Sequence, residues 1–298
     1  MPRRTVHSPL PIDLPASLSA VRAGRGDPAV LLLAGEAAIT TRTAEGPATL
    51  HLRGRGVTIE AEAWGPGAAL LLEAAPGWCG ALDDLTGFDP AHRIVSELAR
   101  RRPGLRVVRT GAVTEALVRT VVGQKVTGRE AAASYLSMAR ALGEPAPGPF
   151  PLLVPPDPEV LAGLASHRFH PWGIERKRAE TIIRVARRAG RLEAAASMAR
   201  SEAHARLTAI PGVGPWTAAV VAGHALGDPD AVPVGDYNIP SLVAWSLAGE
   251  PRADDRRMLE LLAPYAGHRG RVIRLLKSAG IKPPRFGPRA PTRSFRSS

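Results

Sequence analysis

The sequence predicts an α+β fold: a small N-terminal antiparallel β-sheet unit of mixed α/β character, followed by a larger, mainly α-helical body. Three observations predict it. Five short β-prone runs, Ala29–Ala34, Ala37–Thr43, Ala48–Arg53, Val57–Ala63 and Ala68–Glu73, follow one another closely, as strands of an antiparallel sheet do. Turn chemistry separates them at Gly35-Glu36, Glu45-Gly46-Pro47, Gly54–Gly56 and Gly65-Pro66-Gly67. From Asp89 onward apolar residues recur instead at three-to-four spacing, the period of a helix face.

Taken in order, residues 1–28 are rich in Pro, Gly and Arg and read as irregular, apart from one short helix around Pro15–Ala23. After the strands, Ala91–Arg101 reads as a helix stopped by Pro103-Gly104. Thr114–Val122 and Arg129–Leu142 carry apolar faces, and the Pro-rich stretch Gly143–Pro158 reads as a connector. Helices are then expected at Pro158–Ala165, Arg176–Arg188, Glu193–Ala199, Ser201–Thr208, Pro215–Leu226, Ile239–Leu247, Asp254–Leu262 and His268–Ala279. The end of the chain carries Lys277, Lys282, Arg285, Arg289, Arg293 and Arg296 without an acid, so a basic disordered tail is expected over 281–298. No repeat at a solenoid period is present.

Composition narrows the function classes. The 298 residues are 45 % hydrophobic and 22 % charged, which excludes disorder throughout. Lys and Arg outnumber Asp and Glu by 39 to 27, a net charge of +12, which points to an anionic partner, nucleic acid first. A high-GC genome that writes Arg for Lys would give the same excess, so charge alone does not decide. One cysteine, Cys79, excludes a disulfide framework and any Cys-rich zinc or iron–sulfur site. His167, His170, His224 and His268 have no partners at zinc spacing and read as surface or core histidines. No apolar run approaches the ~18 residues of a membrane span. Met1–Leu14 lacks the apolar core of a secretory signal, so the cytoplasm is the expected compartment.

The segment that carries chemistry is Leu207-Thr-Ala-Ile-Pro-Gly-Val-Gly-Pro-Trp-Thr-Ala218. A helix ends near Thr208, a tight Pro211–Gly214 turn follows, and a second helix starts with Pro215 at its first position, where a missing N–H costs nothing. Two glycines bracketing one residue let the backbone turn sharply. The N–H groups of Gly212, Gly214, Trp216 and Thr217 can then face outward at a helix N-terminus, an anion site suited to phosphate. A helical hairpin with a glycine turn and no ligand fits the same residues. Twenty residues beyond Trp216 stands Asp236, in Ala231-Val-Pro-Val-Gly-Asp-Tyr-Asn-Ile239, with the aromatic Tyr237 beside it. Taken alone, Asp236 reads first as a helix N-cap.

Together the hairpin, its spacing and the Asp-Tyr pair resemble the helix-hairpin-helix (HhH-GPD) DNA glycosylase superfamily, and within it the 3-methyladenine DNA glycosylase II, or AlkA-type, branch. Arg102–Arg106, Ala116–Val122, Gly123–Thr127, Pro171–Ile174 with Lys177–Ala179, and Pro264-Tyr265 extend the resemblance. It implies an N-terminal mixed unit over 1–88, a helical domain from 89–112 and 231–280 carrying Asp236, and a helical domain over 113–230 carrying the hairpin. It also implies excision of alkylated bases, of the 3-methyladenine and 7-methylguanine type, from duplex DNA, by a monomer acting at the bacterial nucleoid and not at a membrane.

In such an enzyme Asp236 is the catalytic carboxylate. Trp216, Tyr237 and Tyr265 match aromatic positions of the base pocket, where an electron-poor cationic purine is held by stacking and cation–π contact; core packing is the plain alternative. Gly212, Gly214, Thr217, Gln124 and Lys125 are the expected DNA-binding residues. Gln124 and Lys125 match the loop that wedges into the gap left by the extruded nucleotide. The branch carries an apolar residue where this chain has Lys125, which can instead reach a phosphate or be plainly solvated. Ala266-Gly267-His268-Arg269 likewise departs from the branch's more aromatic run, which bears on pocket shape. The resemblance also implies that the carbonyls of Thr208, Ile210 and Val213 hold a monovalent cation, Na+ or K+, and that no cofactor, iron–sulfur cluster or zinc is required. Bifunctional relatives form a Schiff base with a hairpin lysine. Here that position is Trp216, so a monofunctional enzyme is expected. A non-catalytic hairpin binder, or an enzyme for deaminated or oxidised bases, are the other readings.

Overall fold

Strand alternation organises the first part of the chain. The structure, a computed structural model, describes residues 2–284; most of the expected basic tail lies outside them. Strands β1 (Arg3–His7), β2 (Val30–Leu33), β3 (Glu36–Thr43), β4 (Gly46–Arg55) and β5 (Thr58–Trp64) form one antiparallel sheet in the order β1-β5-β4-β3-β2. The register pairs Ile39 with Leu50, Leu52 with Ala61 and Val6 with Ile59. Those side chains fall on one face and are buried, as period-two alternation requires.

Two expectations fail within this sheet. Ala68–Glu73 is not a strand but the first half of a helix, α2 (Ala68–Cys79), which follows the short α1 (Leu14–Leu18) in the chain. Its Ala- and Leu-rich sequence favours helix, and Ala68, Leu71, Leu72, Ala75, Trp78 and Cys79 are buried at helical spacing against the sheet. A six-residue apolar window is too short to show that period. The fifth strand is β1, in the stretch expected to be irregular. It contributes one inward side chain, Val6, and is held by its ladder with β5 and an ion pair from Arg3 to Glu62 (2.7 Å).

The body comprises α3 (Arg93–Arg101), α4 (Val113–Val122), α5 (Gly128–Leu142), α6 (Pro158–Gly163), α7 (Arg176–Ala186), α8 (Ala189–Glu193), α9 (Arg200–Thr208), α10 (Pro215–Val221), α11 (Ile239–Ala248), α12 (Asp255–Leu262) and α13 (Arg269–Ser278). Helix α5 opens on a reciprocal capping box between Thr127 and Glu130. The Pro-rich connector is a docked strap: the Thr49 hydroxyl donates to Pro147 O (2.6 Å), the Thr40 hydroxyl to Leu153 O (2.6 Å), and Phe150 packs edge-on against Trp64 at 5.7 Å. Buried apolar side chains gather in three cores. One lies between the sheet and α1 and α2, and one among α4–α10. The third joins Val95, Leu98 and Leu105 to side chains of α11, α12 and α13. The chain thus leaves the third core before the hairpin and returns to it at Val232 and Ile239, on either side of Asp236.

A cavity of about 50 Å³ sits where β3 meets α4, lined by Thr41, Thr114, Glu115, Tyr135 and Glu193 among others. Burial pushes the Glu115 carboxyl up from 4.5 to about 7, against the pull of Arg119 and of the Thr41 hydroxyl, which donates to it at 3.1 Å. The folded chain therefore holds a proton that the unfolded chain releases between pH 4.5 and 7. Stability from this group is greatest below pH 4.5 and is lost as pH rises to 7. At ~1.4 kcal/mol per pH unit the loss is on the order of 3 kcal/mol. Glu115→Gln, which can still accept from Thr41, should therefore gain stability relative to the parent between pH 5 and pH 8, measured by denaturant titration at both; equal differences at the two pH values would exclude this titration.

Candidate active site

The hairpin is built from a helix end, a turn and a helix start. Helix α9 closes with Ala209 N–H donating to Ala205 O and Ile210 N–H to Leu207 O; the turn closes with Val213 N–H donating to Ile210 O at 2.9 Å. Leu207, Ile210, Val213, Ala218 and Val221 anchor it in the second core. The two turn glycines are not equivalent, contrary to the symmetric expectation. Gly212 has φ +98°, and a Cβ there would lie 2.3 Å from Thr181 Oγ1, so glycine is required twice over. Gly214 has an ordinary φ of −93°, with open space where a Cβ would point. Pro215 occupies the first turn of α10 as expected. The first intrahelical bond runs from Ala218 N–H to Gly214 O, so the N–H groups of Trp216 and Thr217 have no helical acceptor. After Val221 the helix widens into a π-turn (Ala222–Leu226) ended by Gly227 at φ +69°.

Gln124 and Lys125 follow α4 in the adjacent loop. The Gln124 side-chain amide donates to Gly212 O and to Thr217 Oγ1, both at 2.9 Å. It braces the hairpin, and Thr217 turns its hydroxyl inward to meet it, leaving only its backbone N–H at the helix end. Lys125 is exposed at φ +56°, the one non-glycine with positive φ among the described residues. A side chain in that region costs roughly 1 kcal/mol, so the turn is held by its surroundings.

Asp236 arrives on the segment between Gly227 and α11. One carboxylate oxygen accepts from the N–H groups of Asn238 (2.8 Å) and Ile239 (3.0 Å), capping the start of α11. The other accepts from the Trp216 indole N–H at 3.0 Å. Three N–H donors therefore fix a half-buried carboxylate, one of them supplied by the hairpin helix. The cap and the link to the hairpin coexist. Tyr237, next in sequence, is 95 % exposed. Tyr265 lies apart in the third core, 2 % exposed, with its hydroxyl accepting from His92 N–H (2.9 Å) and 2.7 Å from His92 Nδ1; burial raises its phenol pKa. The structure thus joins Asp236, Trp216, the hairpin turn and Gln124, and puts Tyr265 in a packed core position. Neither the junction cavity nor a groove of about 620 Å³ beside Pro11–Asp13 and Arg101–Gly104 includes Asp236.

One contact had no signal in the sequence. Gly235 N–H donates to both carboxylate oxygens of Asp255 on α12, at 3.1 and 2.9 Å. Asp255 follows Asp254 at a helix start, where either reads as a cap, and its partner is twenty residues away. Among the described residues no group of three or more His, Cys, Asp or Glu side chains is placed to hold a metal ion, and no helix is long and apolar enough to cross a membrane.

No family model matches the chain. It is 33 % identical over 162 residues to the probable bifunctional transcriptional activator/DNA repair enzyme AlkA of Mycobacterium tuberculosis. That match covers 53 % of this chain and 32 % of the relative, so the chain spans about a third of the relative's length. The structure resembles a 3-methyladenine DNA glycosylase from Archaeoglobus fulgidus with a TM-score of 0.74 at 16 % identity, over 93 % of this chain and 98 % of that one. The chain has the fold of that DNA glycosylase. It also resembles in fold the Clostridium acetobutylicum 8-oxoguanine glycosylase/lyase solved with duplex DNA (TM-score 0.67, 13 % identity, 93 % of this chain and 97 % of that one). At these identities the two solved structures bear on fold, and the 162-residue match carries the sequence relationship.

Proposed function

We propose that the chain is a monofunctional DNA N-glycosylase. It extrudes an alkylated purine of the 3-methyladenine or 7-methylguanine type from duplex DNA and hydrolyses the bond to deoxyribose, leaving an abasic site. The observation that carries this reading is the 3.0 Å bond between the Asp236 carboxylate and the Trp216 indole of the hairpin helix. It couples a fixed negative charge to an element whose free N–H groups suit a phosphate.

A stacked base is out of reach, so it must leave the duplex at a cost of a few kcal/mol, least for a damaged base. The open space at Gly214 lets a phosphate approach the N–H groups of Trp216 and Thr217, gripping the backbone without reading sequence. Departure of the base puts positive charge on the sugar. The Asp236 carboxylate, already oriented by its three donors, stabilises that charge and can position the attacking water. The exposed Tyr237 ring and the Trp216 face suit an electron-poor base, a contact worth up to ~2 kcal/mol when desolvated. The carbonyls of Thr208 and Val213 accept no hydrogen bond among the described residues, and that of Ile210 keeps a lone pair beyond its bond to Val213 N–H. They would suit a monovalent cation that stiffens the turn.

The hairpin carries no lysine, and Trp216 stands where a Schiff-base lysine would be needed. Incubation with duplexes containing single modified bases should release free methylated purine and leave strands that break only on alkali treatment. Borohydride added during turnover should trap no protein–DNA adduct; a robust adduct would overturn the monofunctional reading. Likeness to the 8-oxoguanine glycosylase/lyase keeps oxidised bases as a second reading, which 8-oxoguanine in the same panel decides.

A further inference from the structure

We infer that Asp255 is a positioning residue for Asp236, holding in place the turn that presents the carboxylate; this rests on the reading of Asp236 above. The turn has little packing of its own. Val234, Gly235, Tyr237 and Asn238 are all exposed, and Gly235 sits at φ +88° with open space where a Cβ would point. Its internal bonds, Val234 N–H to Val232 O (2.9 Å) and Asp236 N–H to Pro233 O (3.3 Å), are local. Beyond them and the Asp236 cap on α11, the turn is held by contacts with neighbouring elements. Two ties cross to other helices. One runs from Trp216 to Asp236 itself. The other is the forked acceptance of Gly235 N–H by Asp255, one residue before the carboxylate.

Asp255 is not needed to cap its own helix, because Asp254 already accepts from Arg257 N–H at 2.9 Å. Helix α12 packs closely against α11, whose start Asp236 caps, so the tie references the turn to the same rigid pair of helices. A carboxylate is a strong acceptor for a backbone N–H, and displacements near 1 Å at a reacting centre cost on the order of 10²-fold in rate.

The test uses the full chain and a duplex with a single 7-methylguanine, under single turnover with enzyme in excess. Asp255→Ala should slow base release by roughly 10-fold or more, with Kd for a duplex holding an uncleavable abasic analogue unchanged within about 2-fold. Asp255→Asn keeps one acceptor oxygen and should recover most of the rate. Asp255→Ser, too short to reach Gly235 and benign at a helix start, gives the same reading if the alanine variant folds poorly. If Asp255 acts through Asp236, adding D255A to D236N should slow the residual reaction no further. Wild-type rates in D255A and D255S, or a full additional loss in the double variant, would overturn the inference while leaving the role of Asp236 intact. Full activity in D236N alone would remove the reading beneath it.

Discussion

Asp236→Asn is expected to lower the single-turnover rate of base release by on the order of 10²–10³-fold, the effect of removing one preorganised electrostatic group from a transition state, while Kd for duplex DNA stays within a few-fold. The asparagine is nearly isosteric, and its carbonyl oxygen can still accept from the N–H groups of Asn238 and Ile239, so the start of α11 survives. Its amide nitrogen then meets the Trp216 indole N–H, donor against donor, where the carboxylate accepted at 3.0 Å. That mismatch costs about 1–3 kcal/mol of stability, visible as a modest fall in Tm. The charge proposed to face the sugar is gone, while the hairpin N–H groups proposed to meet a phosphate are untouched. A variant that loses affinity and rate in proportion would instead mark Asp236 as a structural cap alone.

Gly212→Ala is expected to be the most damaging single-methyl change in the hairpin. The positive φ costs an L-residue about 1–2 kcal/mol. The new Cβ would stand 2.3 Å from Thr181 Oγ1 and 2.8 Å from Thr181 Cγ2. Thr181 is 2 % exposed, and its hydroxyl donates to Lys177 O at 3.0 Å, so it has little room to retreat. Overpacking of this kind costs about 1–3 kcal/mol, for a total near 2–5 kcal/mol by denaturant titration. The Gln124 bond to Gly212 O moves with the turn, so DNA affinity falls as well. Gly214→Ala should separate the two effects: stability close to the parent, because its Cβ enters open space, but weaker binding to duplex DNA if that space is where a phosphate approaches, as proposed. Equal stability loss in both variants would contradict the asymmetry.

The helical body was legible in the sequence because its signals are local. Pro103-Gly104 and Pro215 each mark an element boundary with backbone chemistry that tertiary contacts did not override. The hairpin was legible in its own residues, and the nearness of Trp216 to Asp236 only through the family resemblance. The misreading of Ala68–Glu73 arose where a short apolar run lacked the length to show its period. That of Arg3–His7 arose where a strand owes its existence to a partner edge more than fifty residues away. Gln124 was placed beside the DNA by resemblance, but nothing local showed that its amide would turn inward to Gly212. Asp255 was hidden for the same reason: a bond to a backbone N–H across helices leaves no pattern in either segment.

The claim that a fixed negative charge meets developing positive charge on the sugar is tested most directly by comparing two inert duplexes. One carries a cationic five-membered-ring mimic of the ionised deoxyribose, the other a neutral ring of the same shape. The wild-type chain should bind the cationic duplex at least ~10-fold more tightly, because binding strengthens as a ligand approaches the transition state, and D236N should bind the two alike. Equal Kd values for both duplexes in the wild-type chain, or a preference that survives in D236N, would contradict it.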